Sequence, residues 1–190
     1  MLKKTLWVAV VGLPLTTLPL MASADSGPHW NMLQLDYRQH QPDAVGQDLN
    51  GYGLSGSFLV NDSVFVKGGL TDQSKTIAGV KNTLKTTDIQ VGYIVPANEQ
   101  TDFYAALGYR WSDPTYNGVN TENNDATLAL GVRGMVTPEW ELRAGLGTFD
   151  GDAEYLLGAT YKFTPEWGMA VEYRESDIDK GWLIGVRLDF

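Results

Sequence analysis

The last ten residues, Gly181 to Phe190, limit the fold more than any other stretch. Trp182, Ile184, Val186, Leu188 and Phe190 recur at period two, with Leu183, Gly185, Arg187 and Asp189 between them. A strand places alternate side chains on opposite faces. One face here is apolar throughout with an aromatic at each tip, and the other carries charge. About 9–11 tilted residues let a strand cross a bilayer. An apolar face toward lipid and a polar face toward a lumen are what such a strand needs. Taken alone, the stretch reads equally well as an amphipathic strand of a soluble sandwich.

The same alternation returns along the chain. Ten segments carry it: 30–38, 52–60, 63–70, 84–95, 101–111, 125–136, 140–149, 154–163, 167–175 and 181–190. Tight connections follow every second segment: Asn61-Asp62, Pro96 to Gln100, Thr137-Pro138-Glu139 and Thr164-Pro165-Glu166. The others are mostly longer and polar: 39–51, 71–83, 112–124 and 176–180, with 150–153 a shorter exception. Thr-Pro-Glu-Trp occurs at 137–140 and again at 164–167, and proline suits the second position of a turn because its φ is already set. Short turns at one end and long loops at the other fit an all-β, up-and-down antiparallel transmembrane barrel of ten strands. Segments 63–70 and 84–95 are the least regular, and loss of one hairpin would leave eight strands.

Lys3 and Lys4, the apolar run Leu6 to Leu20 and Ala22-Ser23-Ala24 have the form of an export signal. The expected organisation is therefore a signal peptide at 1–24 and a barrel at 25–190. Without the signal, twelve basic residues face 23 acidic ones, a net charge of −11. So acidic a chain is a poor partner for nucleic acid. There is no cysteine, hence no disulfide frame and no thiolate site.

One face of the ten segments carries Leu33, Leu35, Leu54, Val64, Val66, Ile89, Val91, Ala105, Leu107, Leu128, Leu130, Val132, Leu142, Leu146, Leu157, Ala159, Met169, Val171, Ile184, Val186 and Leu188. Aromatics gather near its two ends. Tyr93, Phe103, Trp140, Phe163, Trp167 and Phe190 stand near the short turns; Tyr37, Tyr52, Tyr109, Trp111, Tyr155, Tyr173 and Trp182 stand near the long loops. Two such belts fit two membrane–water interfaces, whereas a soluble barrel would turn its apolar face inward. Leu130 is thus expected to face lipid, and Arg133, of opposite parity, to accept Gln far better than Leu130 accepts Arg.

The opposite face holds eight of the twelve basic residues: Arg38, Lys67, Arg110, Arg133, Arg143, Lys162, Arg174 and Arg187. Asp36, Asp88, Glu141, Glu172 and Asp189 share it. Paired opposite charges would fill the lumen. Unpaired positive charge would line a narrow pore that prefers anions. On this count basic residues are in excess, so some are expected to lack partners.

The amphipathic last strand ending in Phe190, the signal segment and the hairpin rhythm together resemble bacterial outer-membrane β-barrels of the OmpA/OmpX-like superfamily. The length and the Thr-Pro-Glu-Trp turns are similar to a family of small proteobacterial barrels, some labelled quorum-sensing or surface antigen. The resemblance implies outer-membrane localisation, termini on the periplasmic side and five loops outside. It also implies that Trp182, Ile184, Val186, Leu188 and Phe190 form the segment read by the barrel-assembly machinery.

Other motifs carry less. Gly51-Tyr52-Gly53-Leu54-Ser55-Gly56 spells a dinucleotide fingerprint but lacks the preceding strand and following helix, so its glycines are expected to relieve crowding in the lumen. Asp150-Gly151-Asp152-Ala153-Glu154 reads as an acidic turn, with a weak divalent-cation site as the sharper alternative. Asp179 reads as an outer-loop acid. His29 precedes the first segment and His40 falls in the first loop; a catalytic group of His40 with Ser112 has no supporting motif. The expected function is a structural or surface-interaction barrel with a largely plugged interior. A narrow anion-preferring pore is the alternative, and a lipid-modifying enzyme the remote third. No cofactor, metal or enzymatic activity is expected. Expected partners are outer-membrane lipid, lipopolysaccharide and the assembly machinery, with the chain a monomer.

Overall fold

Period-two alternation builds the whole wall. The computed structural model describes residues 27–43, 46–149, 152–177 and 179–190, so the expected signal peptide at 1–24 lies outside the described residues. The strands are β1 (Met32–Pro42), β2 (Leu49–Asn61), β3 (Val64–Ile77), β4 (Val80–Asn98), β5 (Thr101–Tyr116), β6 (Val119–Asn120), β7 (Asn123–Met135), β8 (Trp140–Phe149), β9 (Asp152–Lys162), β10 (Trp167–Ser176) and β11 (Asp179–Asp189). β6 is a two-residue return pairing with the tip of β5. The other ten pair antiparallel with their neighbours, and β1 also pairs with β11. The result is an all-β, closed antiparallel barrel of ten strands among the described residues. Closure leaves the wall without an unpaired edge.

The register staggers around the ring. Stepping across paired residues, Gln41 leads through Lys180, Glu175, Tyr155, Leu146, Leu130, Ala105 and Tyr93 to Val64, beside the β2 bulge. The path comes back to β1 about 12 residues lower, a stagger that tilts the strands about 40° and gives a backbone radius of roughly 10 Å.

Which face is outside is now decided. Along β10, Trp167, Met169 and Val171 are exposed while Gly168, Ala170 and Glu172 are buried. Leu35, Ile89, Leu107, Leu130 and Leu157 are exposed, Leu107 by 68%. A band of exposed large aliphatics all round the wall is untenable in water and suits lipid. Aromatics rim it at both ends. Tyr37 lies 5.7 Å from Tyr52 and 6.1 Å from Trp182 at the long-hairpin end, and Trp140 lies 5.1 Å from Tyr161 at the short-turn end. Phe190 packs 5.6 Å from Phe58, and its backbone N–H donates to the Asn31 carbonyl.

Both Thr-Pro-Glu-Trp turns share one device. The Thr137 and Thr164 hydroxyls accept the backbone N–H of Trp140 and Trp167, at 3.2 and 3.0 Å, and each donates to the glutamate two residues on.

Two of the expected long loops are largely strand. β3 and β4 continue to a two-residue turn, Ala78-Gly79, with φ of 49° and 83°. β5 and β6 turn at Asn117-Gly118, with φ of 53° and 80°. Positive φ at both central residues matches the right-handed twist of the flanking strands, so polar hairpins propagate past the rim. From Asp72, the partner of Tyr52, to the tip at Ile77 is about 16 Å of strand.

Candidate functional site

The site is the barrel interior. At the short-turn end, Trp30 does not begin the first strand as expected; it folds into the lumen, 7% exposed. Its ring lies 4.5 Å from Phe65 and edge-on to Tyr104 at 5.4 Å. Its indole N–H donates to Asp102 at 2.8 Å, and the Arg133 guanidinium stands 4.5 Å from the ring. Ile94 and Ala106 complete this apolar cluster. Space for it comes from glycines on the same face. A Cβ at Gly92 would sit 2.2 Å from the Phe65 ring, and one at Gly131 would sit 2.5 Å from the Tyr104 ring.

Around the cluster runs an ion-pair network. Glu141, 1% exposed, accepts from Arg133 Nη2 at 2.9 Å and from Arg187 Nη1 at 2.9 Å. Arg187 Nε also donates to Asp189 at 2.5 Å, and Lys162 Nζ reaches Asp189 at 2.9 Å. The His29 carbonyl accepts from Arg133 and Arg187 at 2.9 and 3.0 Å, which ties the segment before β1 into the network. These contacts argue that Arg133→Gln costs more than its parity alone suggests. Arg133 is 5% exposed, and its guanidinium serves Glu141, His29 and Trp30 at once.

A second network crosses mid-lumen. Glu172 lies 2.6 Å from Arg174 Nε and 2.8 Å from Arg143 Nη2. Glu154 lies 3.2 Å from Arg174 and 3.7 Å from Arg110. Arg38 holds Asp36 with two hydrogen bonds, at 2.6 and 2.8 Å. Lys67 and Asp88 face the same space. It comprises a cavity of about 130 Å³ toward the long hairpins and one of about 70 Å³ toward the Trp30 cluster. At the long-hairpin mouth, His40 Nε2 lies 3.5 Å from Asp179, whose carboxylate also accepts from Ser176 Oγ at 3.0 Å. Buried Leu49, Gln73, Asn82 and Leu84 stand on the inner side of the extended hairpins.

Asp36, Lys67, Asp88, Arg110, Arg133, Glu141, Arg143, Lys162, Glu172, Arg174 and Arg187 therefore all project inward, in two linked layers. Trp182, Ile184, Val186, Leu188 and Phe190 share the outward face of the last strand and its end. Several readings need correction. His40 lies within β1, not in a loop, and its ion-pair partner is Asp179, not a serine. Asp179 is likewise an inward mouth residue of β11. Glu154 is an interior residue; of the acidic turn it was assigned to, Asp150 and Gly151 lie outside the described residues. With Asp102, Glu154 and Asp179 facing inward, the acids among these described residues equal the basic ones in number, and the expected overall excess of positive charge disappears. Parity could have found all three, because each sits an even number of residues from an accepted lumen residue on its strand. Gly51 and Gly53 do face inward, and Arg38 lies where a Gly53 Cβ would be, but Gly56 falls on the outer face.

A family model described as outer membrane protein beta-barrel domain matches residues 10–153, more than half of the chain. The chain belongs to this outer-membrane β-barrel family. No curated protein matches the sequence. Among solved structures, the KdgM porin in complex with disordered oligogalacturonate is 13% identical, with a TM-score of 0.46 over 83% of this chain and 99% of that one. The attachment invasion locus protein Ail of Yersinia pestis, in complex with the heparin analogue sucrose octasulfate, is 14% identical, with a TM-score of 0.43 over 84% and 95%. The N-terminal barrel domain of Pseudomonas aeruginosa OprF is 14% identical, with a TM-score of 0.39 over 86% and 100%. The family match, and not these likenesses, carries the assignment. It makes this a small barrel of the outer membrane, with the apolar band against lipid.

Proposed function

We propose that the protein is a closed structural barrel of the cell surface that acts through its long hairpins. The observation that carries this reading is the Trp30 cluster. An indole wedged between Phe65 and Tyr104, hydrogen-bonded to Asp102 and faced by Arg133, leaves little passage at the short-turn end. Ion pairs occupy much of the remaining cross-section. The long-hairpin end is then the working surface, facing away from the cell, where β3–β4 and β5–β6 rise past the aromatic belt. Lipid and lipopolysaccharide surround the wall, and the barrel is a monomer without enzymatic activity. His40 then serves as half of a structural pair with Asp179.

In planar bilayers, purified protein is expected to show only rare, small openings. Trp30→Gly removes the wedge and leaves the wall intact, so openings should become several-fold more frequent. Stable large openings in the unaltered protein would replace the closed reading with a pore. The narrow anion-preferring pore keeps one supporting observation, the basic residues Lys67, Arg110, Arg143 and Arg174 that line both cavities. Glu154 and Glu172 line the same cavities, so any preference for chloride over potassium is expected to be weak.

The terminal strand is also proposed as the assembly signal. Deleting Phe190 removes the Phe58 contact and the bond to Asn31. Heat-modifiable, folded protein in the outer membrane should fall several-fold. An unchanged level would assign assembly to another segment.

A further inference from the structure

We propose that the lumen holds a binding site for one small oxyanion, of phosphate or carboxylate type, between Lys67 of β3 and Arg143 of β8. The site goes beyond the closed-barrel reading, because binding needs entry from one end and not passage.

Two basic groups here are incompletely partnered by protein. Arg143 has 10% of its side-chain surface exposed, yet its Nε makes no hydrogen bond. Its Nη2 stands 2.8 Å from Glu172 but off hydrogen-bond geometry. Lys67 makes no ion pair with a carboxylate among the described residues. The charges in its field are Arg174, Glu172, Asp88 and Arg143. With Arg110 and Glu154, which line the same cavities, four cations face three carboxylates, and Glu172 is already shared by Arg143 and Arg174. The local balance is positive.

Leaving the buried Arg143 donors without acceptors is costly, more so than for neutral groups. Lys67 and Arg143 line both cavities; Arg143 Nε and Nη2 are closed off from that space, so an anion there meets the Lys67 ammonium first. The larger cavity, about 130 Å³, has room for on the order of ten waters. An oxyanion with part of its hydration fits that space. Such a group accepts hydrogen bonds on every oxygen, and guanidinium and ammonium donors suit it.

The test uses the full refolded chain in detergent micelles, titrated calorimetrically with inorganic phosphate and, separately, with acetate, at fixed ionic strength set by chloride. Saturation at one anion per barrel is expected. Lys67→Met should weaken binding by about 10-fold or more, since a hydrogen bond to a charged group contributes about 1.5–3 kcal/mol. Lys180→Met, at the exposed outer rim, should leave it unchanged. Tighter phosphate assigns a phosphate-type ligand, and tighter acetate a carboxylate. Folding of each variant is checked by heat-modifiable migration. If Lys67→Met does not fold, Lys67→Gln replaces it. For the unaltered protein, phosphate should raise the thermal midpoint above that in chloride of matched ionic strength. No saturable binding of either anion, no such rise, or binding undiminished in a folded Lys67 variant overturns the site, whatever the bilayer recordings show.

Discussion

Glu141→Gln is expected to destabilise the folded barrel by about 3–5 kcal/mol, the cost of breaking a buried charge pair from one side. Glu141 is 1% exposed and is the shared acceptor of Arg133 and Arg187. Gln keeps the shape and one acceptor but removes the charge, leaving two guanidinium groups around a neutral amide. Arg187 retains Asp189 and Arg133 retains the His29 carbonyl, so the fold should survive with reduced stability. Urea titration in lipid vesicles, read by heat-modifiable migration, measures the change. The contrast is Asp72→Asn. Asp72 pairs with Lys85 at 3.6 Å, with side chains 66% and 48% exposed, and its loss should cost below about 1 kcal/mol. Equal costs at the two positions would mean that the interior pairs are solvated as freely as surface ones.

Leu130→Arg should cost about 2–4 kcal/mol in the same titration, the range for a cation at the midplane of a barrel wall. Leu130 is 49% exposed and pairs in register with Ala105 and Leu146, away from both aromatic belts. Its side chain has only lipid in front of it. The neighbouring inward position gives the internal comparison. From sequence, Arg133→Gln is expected to be tolerated far better than Leu130→Arg, but its three contacts place it beside Glu141→Gln in cost. A cost near zero at Leu130 would place that face toward water and reverse the wall.

The outward face was legible because lipid imposes one rule on it. Leu35, Leu107 and Leu130 alternate with small or polar residues, and that period survives any error in strand ends. Even strand number and the repeated Thr-Pro-Glu-Trp turns followed from the same local logic. Strand length was less legible. Asn117-Gly118 is a strong hairpin signal, yet the polar flanks of both tips hid the strands on either side. Once past the lipid, no apolar band marks the continuation. Parity alone assigned Arg133, Glu141, Arg143 and Arg187 to the interior.

What the tertiary structure decided is who meets whom across the barrel. Arg187 and Glu141 are 46 residues apart, and Arg133 and His29 are 104 apart. No local pattern encodes such meetings; they follow from the stagger that closes ten strands. Trp30 shows the difference best. Its sequence neighbours make it a plausible first strand residue, but its partners Phe65, Asp102, Tyr104 and Arg133 come from three other strands. A closed ring brings those strands around one axis, and the Phe65 and Tyr104 rings, seated over Gly92 and Gly131, are the ones Trp30 packs against.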